Sequence, residues 1–286
     1  MQPALAIDPA PADAAEVLTP EFAFERSDFE VVRRLIHRRA GIHLHAGKEA
    51  MVYSRVARRL RETGHRSFRA YLGWLESPAA PPGEWQEFVN CLTTNLTSFF
   101  REAHHFEELA AELRAHRERE LLIWCNAAST GEEPYSIAMT VADHLPPGVQ
   151  ARIVASDIDT RVLATAAAAV YPADSRGLGP EMLRRHCLRG TGPNAGRMRI
   201  KPEVAGRVEF RVLNLIEPGW NLGATFHVVF CRNVMIYFDA ATQRRVLEGI
   251  HRVMRPGGRL YVGHSENFTD SRDLFRLRGK TIYERV

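Results

Sequence analysis

The 286-residue chain has only four cysteines, Cys91, Cys125, Cys187 and Cys231, and no two of them form a Cys-x-x-Cys pair. That spread argues against a cysteine zinc site and a disulfide framework, so no metal is expected and a reducing cytoplasm is the expected compartment. No apolar run approaches the roughly 18 residues that a membrane-crossing helix needs. Residues 1–20 lack the basic start of a secretory signal. They are rich in Ala and Pro and carry Asp8, Asp13 and Glu16, which predicts a disordered leader. Internal repeats are absent. Glycine is sparse in the loop at 126–131, Asn-Ala-Ala-Ser-Thr-Gly, where Gly131 stands alone.

What is present starts with a large apolar fraction, 45% of residues, enough for a substantial core and, at this length, two domains. The formal net charge is only +4. Residues 33–69 nevertheless carry eleven Lys or Arg against Glu49 and Glu62, a net of +9, which leaves −5 for the rest of the chain. This basic segment suits an acidic partner. Phe29, Val32, Leu35 and Ile36 recur at helical spacing, as do Val52, Val56 and Leu60, with Gly41 and Gly64 as punctuation, so residues 21–77 predict an all-helical domain. On its second helix Arg55, Arg58 and Arg59 fall within an arc of about 100°. They can grip an acidic surface together or form a solvated basic face. Residues 77–83, Ser-Pro-Ala-Ala-Pro-Pro-Gly, cannot be regular structure, and residues 78–94 are expected to link two domains.

Beyond the link, helical and strand patterns alternate: helix at 106–113, strand at 121–126, helix from 135, strand at 152–156, Ala-rich helix at 162–170, then strands at 208–213, 226–231 and 259–263. Alternation of this kind predicts an α/β fold with a mostly parallel, doubly wound sheet over residues 95–286. Residues 172–207 break the pattern and predict a small inserted subdomain. Ligands of such sheets bind beyond the carboxyl ends of the strands. At the first of these ends Glu132 and Glu133 follow Gly131, where a dinucleotide's diphosphate would meet a helix N-terminus and be repelled. A phosphate-free, cationic adenosine ligand fits better, and S-adenosylmethionine is the common one. The same acids also suit a plain helix N-terminus at the surface.

Asp157 stands two dozen residues later, where an acid accepts both ribose hydroxyls, while Asp159 competes as a helix N-cap. Asn214 and Leu215 end the strand at 208–213; Asn214 reads equally as an adenine contact and as a turn asparagine. Arg232, Asn233 and Tyr237 follow the strand at 226–231, a place where polar residues usually cap a turn. Val246, Leu247, Ile250, Val253 and Met254 form a core stripe. His264, Ser265 and Glu266 are consecutive and point different ways, so they read as loop packing and not as a catalytic triad.

Five segments together have the spacing of one family: Asn-Leu-Thr-Ser-Phe-Phe-Arg-Glu at 95–102, Ser-Thr-Gly-Glu-Glu-Pro-Tyr-Ser at 129–136, Ala-Ser-Asp-Ile-Asp-Thr at 155–160, Cys-Arg-Asn-Val-Met-Ile-Tyr-Phe at 231–238 and Gly-His-Ser-Glu-Asn-Phe at 263–268. From the basic helical region to the C-terminus the chain resembles the bacterial chemotaxis receptor methyltransferases, the CheR family. The resemblance implies a Rossmann-like domain that uses S-adenosylmethionine to esterify glutamate side chains on the cytoplasmic helices of chemoreceptors. It implies cofactor contacts from Asn95, Thr97, Arg101, Glu132, Asp157, Asn214, Leu215, Arg232 and Asn233.

Arg101 and Tyr237 are then the candidates to orient the acceptor carboxylate, with Arg101 alternatively bound to the cofactor's own carboxylate. Arg55, Arg58 and Arg59 are the candidates for docking on the receptor. Residues 188–196 lie in the insert that in some members holds a short C-terminal receptor tether. A monomer that neither enters the membrane nor binds nucleic acid is expected. A nucleic-acid methyltransferase is the first rival, prompted by a sequence pI near 9.0 with Asn233 and Tyr237. It lacks the Asn-Pro-Pro-Tyr loop that holds a flipped base, Val234, Met235 and Ile236 standing there instead. A non-catalytic docking module is the second rival, and the presence of both Arg101 and Tyr237 argues against it.

Overall fold

Four amphipathic helices begin the part of the chain that this computed structural model describes, residues 21–286, so the leader expected at 1–20 lies outside the described residues. Helix α1 (Arg26–Ala40) buries Phe29, Val32, Leu35 and Ile36, the stripe its spacing predicts. It ends at Gly41, whose φ of 71° is left-handed and whose missing Cβ would lie 2.5 Å from Ile216 Cγ2, so glycine here both stops the helix and admits the second domain. Helices α2 (Glu49–Thr63) and α3 (Phe68–Leu75) follow. Helix α4 (Glu84–Leu92) corrects the expected link at 78–94. Its Phe88, Val89 and Leu92 are buried in one core with Phe29, Val52 and Leu72. The Pro-rich turn before it and residues 93–94 after it are irregular.

The second domain runs α5 (His104–Ala115), β1 (Glu120–Asn126), α6 (Glu132–His144), β2 (Gln150–Asp157), α7 (Thr160–Ala168), β3 (Val170–Pro172), α8 (Pro180–His186), β4 (Cys187–Arg189), β5 (Arg197–Ile200), α9 (Pro202–Ala205), β6 (Val208–Val212), β7 (Phe226–Cys231), α10 (Ala240–Val253), β8 (Met254–Val262), β9 (Phe275–Gly279) and β10 (Ile282–Arg285). Seven strands form one sheet in the order β6-β2-β1-β7-β8-β10-β9. The first five are parallel, and β10 and β9 add antiparallel pairs at one edge. This is the expected doubly wound α/β sheet.

Along β1 the side chains alternate between two cores. Leu121, Ile123 and Cys125 pack with α5 and α6, while Trp124 packs with α10. Burial on both faces explains why the strand reads as an unbroken apolar run. The insert forms a separate antiparallel sheet in the order β3-β5-β4, and its Tyr171, Met198 and Ile200 share the α5–α6 core. It begins at Val170, two residues earlier than expected, because Ala169 takes a left-handed φ of 55° and closes α7. Among the described residues no helix is long and apolar enough to cross a membrane.

The two domains are joined by directional bonds. Gln86 Nε2 donates to the Ile158 carbonyl at 2.7 Å, Asn90 Nδ2 to Thr160 Oγ1 at 2.9 Å, and the His43 N–H to the Tyr237 carbonyl at 2.7 Å.

Candidate active site

Strands β1, β2 and β7 end level with one another, Asn126 lying in register with Ser156 on one side and Cys231 on the other. β2 and β6 lie on one side of β1 and β7 on the other, so the strand order reverses here, which is where open α/β sheets bind ligands. A cavity of about 250 Å³ occupies this place, with Ile42, Leu44, Leu92, Leu213, Val234 and Phe238 among its apolar walls.

The loop after β1 shapes one wall. Ala127 and Ser129 have positive φ, and Gly131 at 99° turns the chain into α6 with Tyr171 Oη only 2.6 Å from where its Cβ would be. Ser129 N–H donates to Asp157 Oδ2 at 2.8 Å, and Asp159 N–H donates to Asp157 Oδ1 at 2.9 Å. Burial pushes the Asp157 carboxyl up from its ordinary range although these N–H groups favour its charge. Asp159 does cap α7, accepting from Arg161 and Val162 N–H, and also takes the side-chain amide of Asn95 at 2.9 Å and the Thr93 hydroxyl at 2.6 Å. The two aspartates therefore divide the work the sequence left open between them. Asp157 lines the cavity and Asp159 fixes its rim.

A charged cluster forms the opposite wall. Arg232, its side chain fully buried, pairs with Glu133, donates to the Arg101 carbonyl at 2.6 Å and lies 3.3 Å from Glu102. Its Nε is buried with no partner among the described residues. Burial alone would raise the Glu102 carboxyl, but Arg232 and then His264 hold it below its ordinary value. The loop that follows, carrying Asn233 at φ 57°, hangs on Glu266, whose carboxylate accepts the N–H groups of Asn233, Val234, Met235 and Gly263. Glu266 is thus a positioning residue that its reading as loop packing undervalued.

Asn95, Thr97, Arg101, Asp157, Asn214, Leu215, Arg232, Asn233 and Tyr237 all line this one cavity. Glu132 does not. Its carboxylate takes the Thr130 hydroxyl at 2.6 Å, and Glu133 is the acid that lines the cavity. The Asn214 amide is committed elsewhere, to the Arg39 carbonyl at 2.9 Å and to Glu217, while its Oδ1 accepts the Ile216 N–H, so its side chain holds a turn and the domain contact. His43, His45, Lys48 and Met51 from the helical domain complete the lining, and no periodic signal in the sequence pointed to them.

Arg55, Arg58 and Arg59 of α2 are not brought together as a docking surface. Arg59, 7% exposed, is bound through Nε and Nη2 to Glu84 of α4, which also accepts the Tyr71 hydroxyl, and it pairs with Glu62. Arg55 donates to the carbonyls of Leu92 and Thr93 at 2.9 and 2.7 Å and so caps the end of α4. Of these three only Arg58 faces solvent, in a loose pair with Glu62.

Residues 27–93 match the family described as "CheR methyltransferase, all-alpha domain", and residues 95–283 match "CheR methyltransferase, SAM binding domain". The chain belongs to the CheR methyltransferase family. It is 51% identical to the chemotaxis protein methyltransferase of Klebsiella aerogenes over 89% of this chain and 88% of that one. Identity to the chemotaxis protein methyltransferase of Escherichia coli K12 is 48%, over 93% of each chain. Chemotaxis protein methyltransferase 2 of Pseudomonas aeruginosa is 49% identical, over 92% and 94%.

This CheR methyltransferase is an S-adenosylmethionine-dependent enzyme. The donor set suits the cofactor: buried carboxylates at Asp157 and Glu133 for hydroxyl and ammonium groups, guanidinium groups at Arg101 and Arg232 for a carboxylate, and apolar walls for the adenine. The Arg232 Nε is a buried donor left unsatisfied among the described residues.

Proposed function

We propose that the protein transfers the methyl group of S-adenosylmethionine to glutamate side-chain carboxylates on the cytoplasmic helical region of chemoreceptors, giving methyl esters, in the cytoplasm and as part of adaptation in chemotaxis. The reading is carried by Arg101 and Tyr237, which line the same cavity as Asp157, Glu133 and Arg232. A methyl donor at one end and a carboxylate-orienting pair at the other is what this transfer requires. The cofactor supplies an electrophilic methyl group on a sulfonium.

The chain's own residues need no general base, because a glutamate acceptor with a pKa of about 4.3 is more than ~99% ionised near neutral pH. Their work is to strip water from the carboxylate and aim it, and orientation supplies roughly 7–11 kcal/mol in such reactions. The Arg101 guanidinium donates to the Leu96 carbonyl at 3.0 Å and retains further N–H donors for a carboxylate. The Tyr237 phenol can add one hydrogen bond. Moderate pairing is required, since a fully neutralised carboxylate is a poor nucleophile.

Docking falls to the basic helical domain, where Arg58 with Arg61, Arg66 and Arg69 are exposed. These charges complement an acidic receptor helix.

Incubation with tritiated cofactor and receptor-containing membranes tests the reading. Label released as methanol by mild base marks carboxyl esters, whereas base-stable label marks N-methylation and refutes it. Arg101→Ala is expected to lower turnover severely. Wild-type turnover with unchanged cofactor affinity would remove Arg101 from the mechanism.

A further inference from the structure

Next to the cofactor cavity, Glu102, just before α5, converges with the first two side chains of that helix, both of them histidines with an unsatisfied nitrogen. Glu102, His104 and His105 each offer one ligand atom within 4.8 Å of the other two. His105 is fully buried, and its Nδ1 has no hydrogen-bond partner among the described residues; His104 Nε2 is likewise buried and unbonded, while Glu102 Oε2 is buried against Arg232 in an ion pair. Such orphaned groups are rare in folded proteins and ask for an explanation.

The second nitrogen of His105 supplies one. Its Nε2 lies 2.7 Å from Thr281 Oγ1, so a neutral ring that donates Nε2–H to this hydroxyl presents a bare lone pair at Nδ1. That lone pair is 3.7 Å from Glu102 Oε2. Ligand atoms about 2.1 Å from a tetrahedral zinc ion stand about 3.4 Å apart, so the pair is within a few tenths of an ångström of ligand spacing. A hydrogen-bonded distal nitrogen is the usual support of a metal-binding histidine. His264, whose Nδ1 is 3.2 Å from Glu102 Oε1, holds the other oxygen of that carboxylate.

We propose that Glu102, His104 and His105 form a binding site for a divalent cation of the zinc class beside the cofactor cavity. The cysteine pattern argues only against a cysteine site and leaves this one open. Imidazole donors select zinc, cobalt or nickel over magnesium. Nearby positive charge opposes the ion, because Arg232 Nη2 is 3.3 Å from Glu102 Oε2. That opposition gives the site a consequence. A bound dication takes the Glu102 carboxylate from Arg232, which keeps Glu133 and the Arg101 carbonyl but is no longer held by all three. Since Arg232 lines the cavity, zinc and cofactor are coupled, and the coupling is reciprocal.

Calorimetric titration of the full chain with zinc chloride is expected to show one saturable equivalent, and cobalt(II) to give the visible absorption of a four-coordinate ion. His104→Gln should weaken zinc at least ~10-fold and erase the cobalt bands while the unfolding midpoint stays at the wild-type value. Absence of saturable binding, absence of the cobalt bands in the wild-type protein, or equal zinc affinity in His104→Gln overturns the site and assigns any heat to scattered surface histidines. Zinc should also weaken S-adenosylhomocysteine several-fold in the wild-type protein and leave its binding to His104→Gln unchanged. An unchanged affinity in the wild-type protein overturns the coupling.

Discussion

Replacing Glu266 by Gln tests how the cavity wall at 232–237 is held. Glu266 is 5% exposed, and its two oxygens share four backbone donors: Oε1 accepts from Val234 at 2.9 Å and Met235 at 2.8 Å, Oε2 from Asn233 at 2.9 Å and Gly263 at 2.6 Å. An amide of the same shape keeps one acceptor oxygen and turns the other into a donor facing two N–H groups. Two charge-assisted bonds disappear and the other two become neutral. Bonds to charged groups contribute about 1.5–3 kcal/mol each, so the two lost bonds alone cost the rigid loop about 3–6 kcal/mol. The loop relaxes part of that loss by moving, and Asn233, held at a left-handed φ of 57°, is the residue with most reason to move. Arg232, Asn233 and Tyr237 line the cavity, so the movement is read as affinity. Glu266→Gln is expected to weaken S-adenosylhomocysteine binding ~10–100-fold by calorimetry and to lower the urea unfolding free energy by about 2–4 kcal/mol. Affinity and unfolding midpoint both equal to wild type would refute the assignment of Glu266 as the loop's anchor.

Arg59→Ala leaves Glu84 and Tyr71 buried without their cation and is expected to cost about 3–5 kcal/mol in urea unfolding, whereas Arg58→Ala should stay within about 0.5 kcal/mol of wild type. Arg58→Glu should raise the Michaelis constant for receptor membranes and flatten its dependence on salt; an unchanged salt profile counts against docking through this face. Burial pushes the Glu112 carboxyl up to about 7, with Arg259 opposing. A carboxyl raised on folding contributes stability at acid pH that is lost as pH climbs through its folded value. Wild-type stability should therefore fall between about pH 5 and pH 8 relative to Glu112→Gln, and parallel profiles of the two proteins would contradict it.

Much of this arrangement was legible because it is local. The alternation of strand and helix, the apolar run of β1 and the stripe of α10 are direct consequences of periodicity, and the polar residues just past each strand end must lie at the sheet's rim once the strands are parallel. Asp157 and Asp159 were both legible for the same reason. One ends a strand and the other starts a helix, and the two tasks do not exclude each other. Glu132 and Glu133 were not separable, since adjacent residues on a helix point about 100° apart and only the rotation of α6 decides which faces inward. In the folded chain α6 turns Glu133 toward Arg232 and leaves Glu132 with Thr130.

The larger miss has one cause with two effects. Ser-Pro-Ala-Ala-Pro-Pro-Gly marks a chain break so strongly that the residues after it read as more of the same, and α4 went unseen. With α4 hidden, Glu84 had no place, and Arg59 looked like a free cation beside Arg55 and Arg58. In the folded chain Arg59 and Arg55 both serve α4, the first by neutralising Glu84 and the second by capping Leu92 and Thr93. That capping fixes the strand of backbone from Thr93 to Asn95, and Asn95 in turn reaches Asp159 and supplies the carbonyl that the Ser129 hydroxyl bonds. A basic helix face read as a docking surface is thus in large part the support of the cofactor cavity, so charge reversal at Arg55 should damage cofactor binding before it damages receptor binding.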